Sequence, residues 1–188
     1  RNLLKCVERA QVRADEVVVA ALASAEAVLT PAEREAGVVL LDLGGGMADV
    51  TLFAEGGAWR IFALPLGGQL ITDDIAYGLR LPAPIAEALK TQFGTAVPAH
   101  IPSQETIDLG QFLPNCQEVA ARHTLATIIH ARAEEILTLL RDEIRRSGRE
   151  RAFAGGVVLT GGSAELAGMT ELAAQVFDAP VRLGLPLS

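Results

Sequence analysis

The sequence predicts an α/β fold, a mixed sheet flanked by helices with a small α+β subdomain attached. Three observations predict it. Apolar runs of strand length stand at Val38 to Asp42, Asp49 to Phe53 and Val157 to Leu159. Stretches of helical period lie between them, the longest from about Glu118 to Arg146. Glycine-rich turns at 44–46, 56–57 and 161–162 punctuate the strands. Strands and hairpins alternating with crossover helices are the pattern of a sheet covered by helices.

In order along the chain, Leu3, Leu4, Val7 and Ala10 recur at helical spacing, and the β-branched run Val17 to Val19 reads as a buried strand. Thr30-Pro31-Ala32-Glu33 is a capping box with proline at the first helical position, and Gly37 can end the short turn it opens. Val38 to Asp42 is a continuous apolar strand. Asp49 to Phe53 follows the glycine triplet, and the Gly56-Gly57 turn joins it to a third strand at Trp59 to Pro65, a hairpin signal. Gly67-Gly68 opens a helix through Leu79, with Ile71, Ile75 and Leu79 on one stripe, and Pro82 to Thr91 reads as a second helix. Val97 to Leu113, richer in Pro, Ser, Gln and Gly, predicts a small hairpin away from the main core. In the long helix Leu125, Ile129, Ala133, Ile136, Leu140 and Ile144 form the apolar face, opposite Thr127, Glu134, Thr138, Arg141 and Arg145. Val157 to Leu159 is a buried strand, helical segments run to Phe177, and Val181 to Leu183 is a last short strand.

A chain of 188 residues, half of them hydrophobic, can bury a core, so disorder is excluded as its main state. A formal charge of -7 argues against general affinity for nucleic acid or anionic lipid. Cys6 and Cys116 stand far apart with no His cluster nearby, which predicts neither a disulfide framework nor a zinc site and suits a reducing cytoplasm. The apolar runs fall far short of the roughly 20 residues of a membrane span, and a soluble protein is expected. The opening Arg1 and the abrupt end at Pro186-Leu187-Ser188 suggest a piece of a longer protein.

Two turns carry chemistry. Gly44, Gly45 and Gly46 follow a buried strand, where consecutive amides free of side chains can curl around an anion. Asp42 and Asp49 flank them; carboxylates repel bare phosphate but suit a divalent cation bridging to it, so Asp42 is the candidate for Mg2+. The plain alternative is a hairpin turn with its glycines at positive φ, and the triplet alone does not separate the two. The second turn, Thr160-Gly161-Gly162-Ser163, again follows a buried strand and leads to a helix, a setting in which backbone can approach a base or ribose.

LLDLGGGMADVTLF resembles the second phosphate loop of the actin, heat-shock chaperone and sugar kinase superfamily, and VVLTGGSAELAGM resembles its adenosine loop. GGQLITDDIAYGLRLPAPIAEALKTQFG, DEVVVAALASAEAVLTPAEREAGVVLLDLGGG and VFDAPVRLGLP are similar to stretches of the bacterial cell-division FtsA family. The similarity runs from about Leu3 to Pro186 and is weakest in 100–118.

This resemblance implies one half of an actin-like, ribonuclease H-like ATPase fold. Residues 1–20 would end the first lobe, 21–80 and 150–188 would form subdomain 2A, and 81–149 subdomain 2B. It implies that Gly44, Gly45 and Gly46 hold the phosphates of ATP or ADP, that Asp42 serves Mg2+, that Glu87 and Lys90 touch ribose and adenine, and that Gly161, Gly162 and Ser163 form the adenosine loop. Glu87 and Lys90 also read plainly as an exposed helix ion pair. Met47 departs from the hydroxyl residue common in such loops and offers a phosphate no donor. Nucleotide could still bind through the backbone, with turnover disfavoured. The resemblance also implies that the first phosphate loop and the residue orienting the attacking water would lie upstream of Arg1, so weak nucleotide affinity and no appreciable hydrolysis are expected of this chain, and at most weak turnover of its parent.

The family tethers the FtsZ ring to the inner membrane, so the implied partners are the FtsZ C-terminal tail, other divisome proteins and further copies in actin-like filaments. Arg122 and Arg132 are the candidate contacts for an acidic tail, and both also read as solvated surface arginines. Lipid would be met only through a C-terminal amphipathic helix that this sequence does not include, at the cytoplasmic face of the division site. The competing readings are an actin-like assembly protein such as MreB or PilM, a small-molecule kinase of the same superfamily, and a chaperone ATPase half.

Overall fold

The computed structural model describes residues 2–113, 117–148 and 155–186. Its centre is a five-stranded mixed sheet in the order β3-β2-β1-β6-β7, where β1 is Val38–Leu43, β2 Ala48–Ala54, β3 Gly57–Leu64, β6 Val157–Thr160 and β7 Val181–Leu183. β1, β2 and β3 pair antiparallel, and β6 and β7 add in parallel. β1 and β2 sit inside the sheet with helices on both faces, which is why their sequences are near-continuous apolar runs rather than alternating ones.

One face of the sheet presents Val39, Leu41, Leu43, Val50 and Leu52 to α4 (Gly68–Leu79), α6 (Arg122–Arg146) and α7 (Met169–Phe177). The other presents Val38, Leu40 and Phe53 to Ala25, Val28 and Leu29 at α2 (Ala20–Val28), with α3 (Pro31–Ala36) beside it. α6 buries the predicted stripe, and Leu125, Ile129, Ala133, Leu137 and Leu140 all lose essentially all solvent contact. The capping box forms as read: the Glu33 amide donates to Thr30 Oγ1 and the Thr30 amide to Glu33 Oε2. Arg182 of β7 then grips the same carboxylate, Nε to Oε1 at 2.6 Å and Nη2 to Oε2 at 2.8 Å, pinning the sheet edge to α3. Those bonds from Arg182, with the Thr30 amide, overcome burial and lower the Glu33 pKa to about 2.

Four expectations change. Val17 to Val19 is unpaired and exposed, at 75%, 57% and 57%; β-branched residues favour strands, yet no strand among the described residues pairs with this run. α1 spans only Asn2–Arg9 and buries nothing. α2 was not foreseen; its alanines have high helix propensity but draw no amphipathic stripe. The small hairpin exists, but β4 (Thr106–Asp108) pairs with β5 (Val119–Ala121), residues expected to open the long helix, and Ile107, Leu109 and Ala120 join the main core. The Gly56-Gly57 hairpin forms with Glu55 and Gly56 at its centre, both at positive φ, and Gly57 already in β3. α5 runs Ala83–Phe93. Cys116 and the last two residues, Leu187 and Ser188, lie outside the described residues.

Candidate functional site

β1 and β6 are parallel neighbours, with Asp42 in register with Thr160, so the turns that follow them emerge at the same edge of the sheet. Ser163 closes the gap by donating its hydroxyl to the Gly44 carbonyl at 3.0 Å. Gly161, at φ 84°, allows the approach, since a Cβ there would press on Asp42 Oδ1 and the Leu43 carbonyl.

α4 starts against the first turn: the Gly68 amide donates to the Gly44 carbonyl at 3.0 Å and the Gln69 amide to the Gly45 carbonyl at 2.8 Å. A Cβ on Gly67 would run into those carbonyls, and one on Gly68 into Ser163 Oγ. The Gly67-Gly68 pair, read from sequence only as a helix start, is therefore what lets three segments converge.

The triplet itself behaves differently. The triplet is the loop of the β1–β2 hairpin, with Leu43 opposite Ala48, but Gly44, Gly45 and Gly46 all have negative φ, so the positive-φ part of that reading fails. A Cβ on Gly45 or Gly46 would meet nothing within 4 Å. Neither backbone strain nor packing within the chain calls for glycine at these two positions. Among the described residues the Gly45 and Gly46 amides donate to no protein acceptor, which leaves them for an anion. Gly162 likewise has negative φ and open space.

A cavity of about 570 Å³, within the usual size range of small-molecule sites, is lined by Gly45, Gly162 and Ser163 together with Glu87 and Lys90 of α5. The two glycine turns thus share one cavity. A larger apolar groove, of about 670 Å³, lies elsewhere, between α2 and the β2–β3 hairpin, and contains none of these residues.

Lys90 Nζ is 2.7 Å from Glu87 Oε2 and donates to the Gly68 carbonyl at 3.0 Å and Thr72 Oγ1 at 2.8 Å. Thr72, fully buried, in turn donates to Glu87. Burial raises the Glu87 pKa, but the bonds from Lys90 and Thr72 outweigh it and leave it below its ordinary value. Lys90 keeps only 12% of its side chain exposed and Glu87 47%, so Lys90 is built into the cavity wall while Glu87 opens to solvent. Thr72 falls in the stretch that resembles the FtsA family, but sequence alone assigns it no role; only the fold brings it to α5.

Asp42 sits at the end of β1, outside the cavity lining, where Ser24 of α2 donates to its Oδ2 at 2.6 Å. It lies directly opposite Asp49 in the antiparallel pair. Two carboxylates on one face of a sheet repel, and a divalent cation would relieve that repulsion. The described residues hold no cluster of three or more metal-ligating side chains, so such an ion would draw most of its ligands from phosphate and water, as Mg2+ does. Met47 is half exposed beside the turn and supplies no donor.

The two arginines differ from the surface picture. Arg132 makes a two-pronged bond to Asp74 of α4, Nε to Oδ2 at 2.6 Å and Nη2 to Oδ1 at 3.0 Å, and its Nη1 reaches Glu135. Arg122 does not face outward alone: it lines the cavity.

No helix among the described residues is long and apolar enough to cross a membrane. The family model for the cell division protein FtsA matches residues 39–188. Over 100% of its length the chain is 39% identical to the FtsA protein of Pseudomonas aeruginosa and 35% identical to that of Escherichia coli K12, covering 45% and 46% of those proteins. The chain therefore spans under half the length of these relatives. Among solved structures it superposes on MreB 5 of Spiroplasma citri bound to AMPPNP with a TM-score of 0.74 at 19% identity, covering 98% of this chain and 59% of that one. A PilM-PilN type IV pilus biogenesis complex matches with a TM-score of 0.62 at 18% identity, over 96% of this chain and 46% of that one. The fold is thus that of the actin-like ATPases, and the chain belongs to the FtsA family of cell-division proteins.

Proposed function

We propose that this chain is the nucleotide-holding C-terminal lobe, subdomains 2A and 2B, of an FtsA-like protein that binds ATP or ADP with Mg2+. Gly44 to Gly46 would receive the phosphates on their amides. Glu87 and Lys90 would meet the ribose and adenine, and Gly161 to Ser163 would form the adenosine loop. Asp42 would serve the cation through water, with Ser24 orienting its carboxylate. The observation that carries this reading is the shared cavity, together with glycines at 45, 46 and 162 that the chain's own packing does not require. The nucleotide held by the related MreB 5 structures supports it.

A cation and nucleotide, when bound, would supply the phosphoryl chemistry; the residues here would hold and orient them. Met47 in place of a hydroxyl favours binding over turnover. In the cell this lobe would act at the cytoplasmic face of the inner membrane, linking the FtsZ tail, other divisome proteins and neighbouring copies in a filament. Arg132, with its paired acid Asp74, is the proposed point at which an acidic tail competes.

Calorimetric titration of the full-length protein with ATP, with and without Mg2+, tests the nucleotide reading. Wild type should bind ATP more tightly with Mg2+, and Asp42→Ala should lose that Mg2+ enhancement. Absence of ATP binding, or an Asp42→Ala variant with unchanged Mg2+ dependence, would overturn it.

A further inference from the structure

Arg122 is the first residue of α6, and three bonds fix it there. Its amide donates to the Glu105 carbonyl at 2.9 Å, its Nε to the Phe93 carbonyl at 3.0 Å, and its Nη1 to Glu105 Oε1 at 2.6 Å. Phe93 ends α5, so that carbonyl belongs to the negative end of a helix dipole, a favourable seat for a guanidinium. Among the described residues Nη2 makes no bond.

The cavity follows the last turns of α5. Near one end Lys90 bonds to Gly68, which holds the phosphate turn. Arg122, held on the Phe93 carbonyl three residues past Lys90 on α5, lines the same cavity. A ligand with its phosphates on Gly45 and its sugar beside Lys90 carries its ring toward Arg122. A guanidinium clamped on two sides keeps its plane and its unused donors for such a ring, at little further cost in side-chain entropy.

We infer that Arg122 is a further base-contacting residue of this site, and that it sets how much of the affinity comes from the base rather than the phosphates. The inference rests on the nucleotide reading above and goes beyond it, since Arg122 otherwise reads as a surface contact for a protein partner.

The test compares ATP with ribose 5′-triphosphate, which keeps the sugar and phosphates and lacks the base, on the full-length protein. Wild type should prefer ATP. Arg122→Ala should weaken ATP by about tenfold, the scale of a partly desolvated cation–π contact, and leave ribose 5′-triphosphate unchanged. Arg122→Lys retains the charge toward Glu105 but loses the planar face of the guanidinium, so it should weaken ATP by less than the alanine variant does and leave ribose 5′-triphosphate unchanged; it reads the same discrimination if Arg122→Ala does not fold. Equal losses for both ligands would make Arg122 merely structural, and no loss for ATP would remove it from the site. Equal wild-type affinity for both ligands overturns this inference alone, whereas wild type that binds neither overturns the nucleotide reading with it.

Discussion

Replacing Gly45 and Gly67 by alanine, one at a time, separates glycines that serve a ligand from glycines that serve the fold. At Gly45 the added methyl meets nothing within 4 Å and φ is negative, so the folded chain accepts it without strain. The unfolded chain loses freedom, and Gly45→Ala should gain about 0.4–1 kcal/mol, a rise of up to ~4 °C in melting temperature. Gly45 lines the cavity, so a methyl in its open space should crowd a phosphate held there. Loss of one charge-assisted amide-to-phosphate bond costs about 2 kcal/mol, roughly thirtyfold in affinity. At an ATP concentration about 100 times the wild-type dissociation constant, ligand stabilisation is ~2.7 kcal/mol for wild type. It should fall below ~1 kcal/mol for the variant.

Gly67→Ala behaves in the opposite way. Its methyl collides with the carbonyls of Gly44 and Gly45, and relieving the collision breaks the bonds from the Gly68 and Gln69 amides. A cost of about 1–3 kcal/mol is expected for such overpacking, with nucleotide binding lost as well. Thermal unfolding of the full-length protein with and without ATP reads both quantities. If Gly45→Ala is destabilised as much as Gly67→Ala, or keeps the full ATP shift, the claim that Gly45 is reserved for a ligand is wrong.

Acid should undo the Glu33–Arg182 clamp. The folded pKa is about 2 against a reference of 4.5, so the stabilisation is complete above pH 4.5 and disappears as pH falls toward 2. Glu33→Gln should therefore cost up to ~3 kcal/mol in urea unfolding at pH 7, and the difference from wild type should shrink steadily below pH 4.5; a pH-independent difference would refute the assignment. Asp74→Asn should raise affinity for an acidic FtsZ tail peptide by releasing the Arg132 guanidinium, while Arg132→Met should abolish binding. A tail titration indifferent to both substitutions would take Arg132 out of the interface.

The central strands were legible because burial on both faces writes a run of apolar residues with no polar interruption, as in Val38 to Leu41. α6 was legible because its period is regular from Leu125 to Ile144. Val17 to Val19 carries an equally strong strand signal, yet a strand is completed by its neighbour, and sequence does not name the neighbour. α2 failed for the converse reason: with alanine on every side it has no stripe to detect, and its contact with Phe53 and Val38 is a property of the sheet. β5 was absorbed into the helix because Val119-Ala120-Ala121 continues an apolar pattern, and only pairing with Thr106 to Asp108 distinguishes it.

The site divides along the same line. Glycine triplets and the Glu87–Lys90 spacing are local signals, and they pointed to the cavity. What those signals could not carry is why the pieces meet. Ser163 reaches Gly44 across 119 positions of sequence, and Arg122 reaches Phe93 across 29. Thr72 is buried between Lys90 and Glu87 and looks like any helical threonine until α4 and α5 are packed together. At Gly67 and Gly68 glycine is demanded by contact with the two turns, while Gly45, Gly46 and Gly162 have no such demand on them. A glycine that the fold does not need, placed at a cavity wall with unspent amides, is the form in which a ligand leaves its mark on a chain.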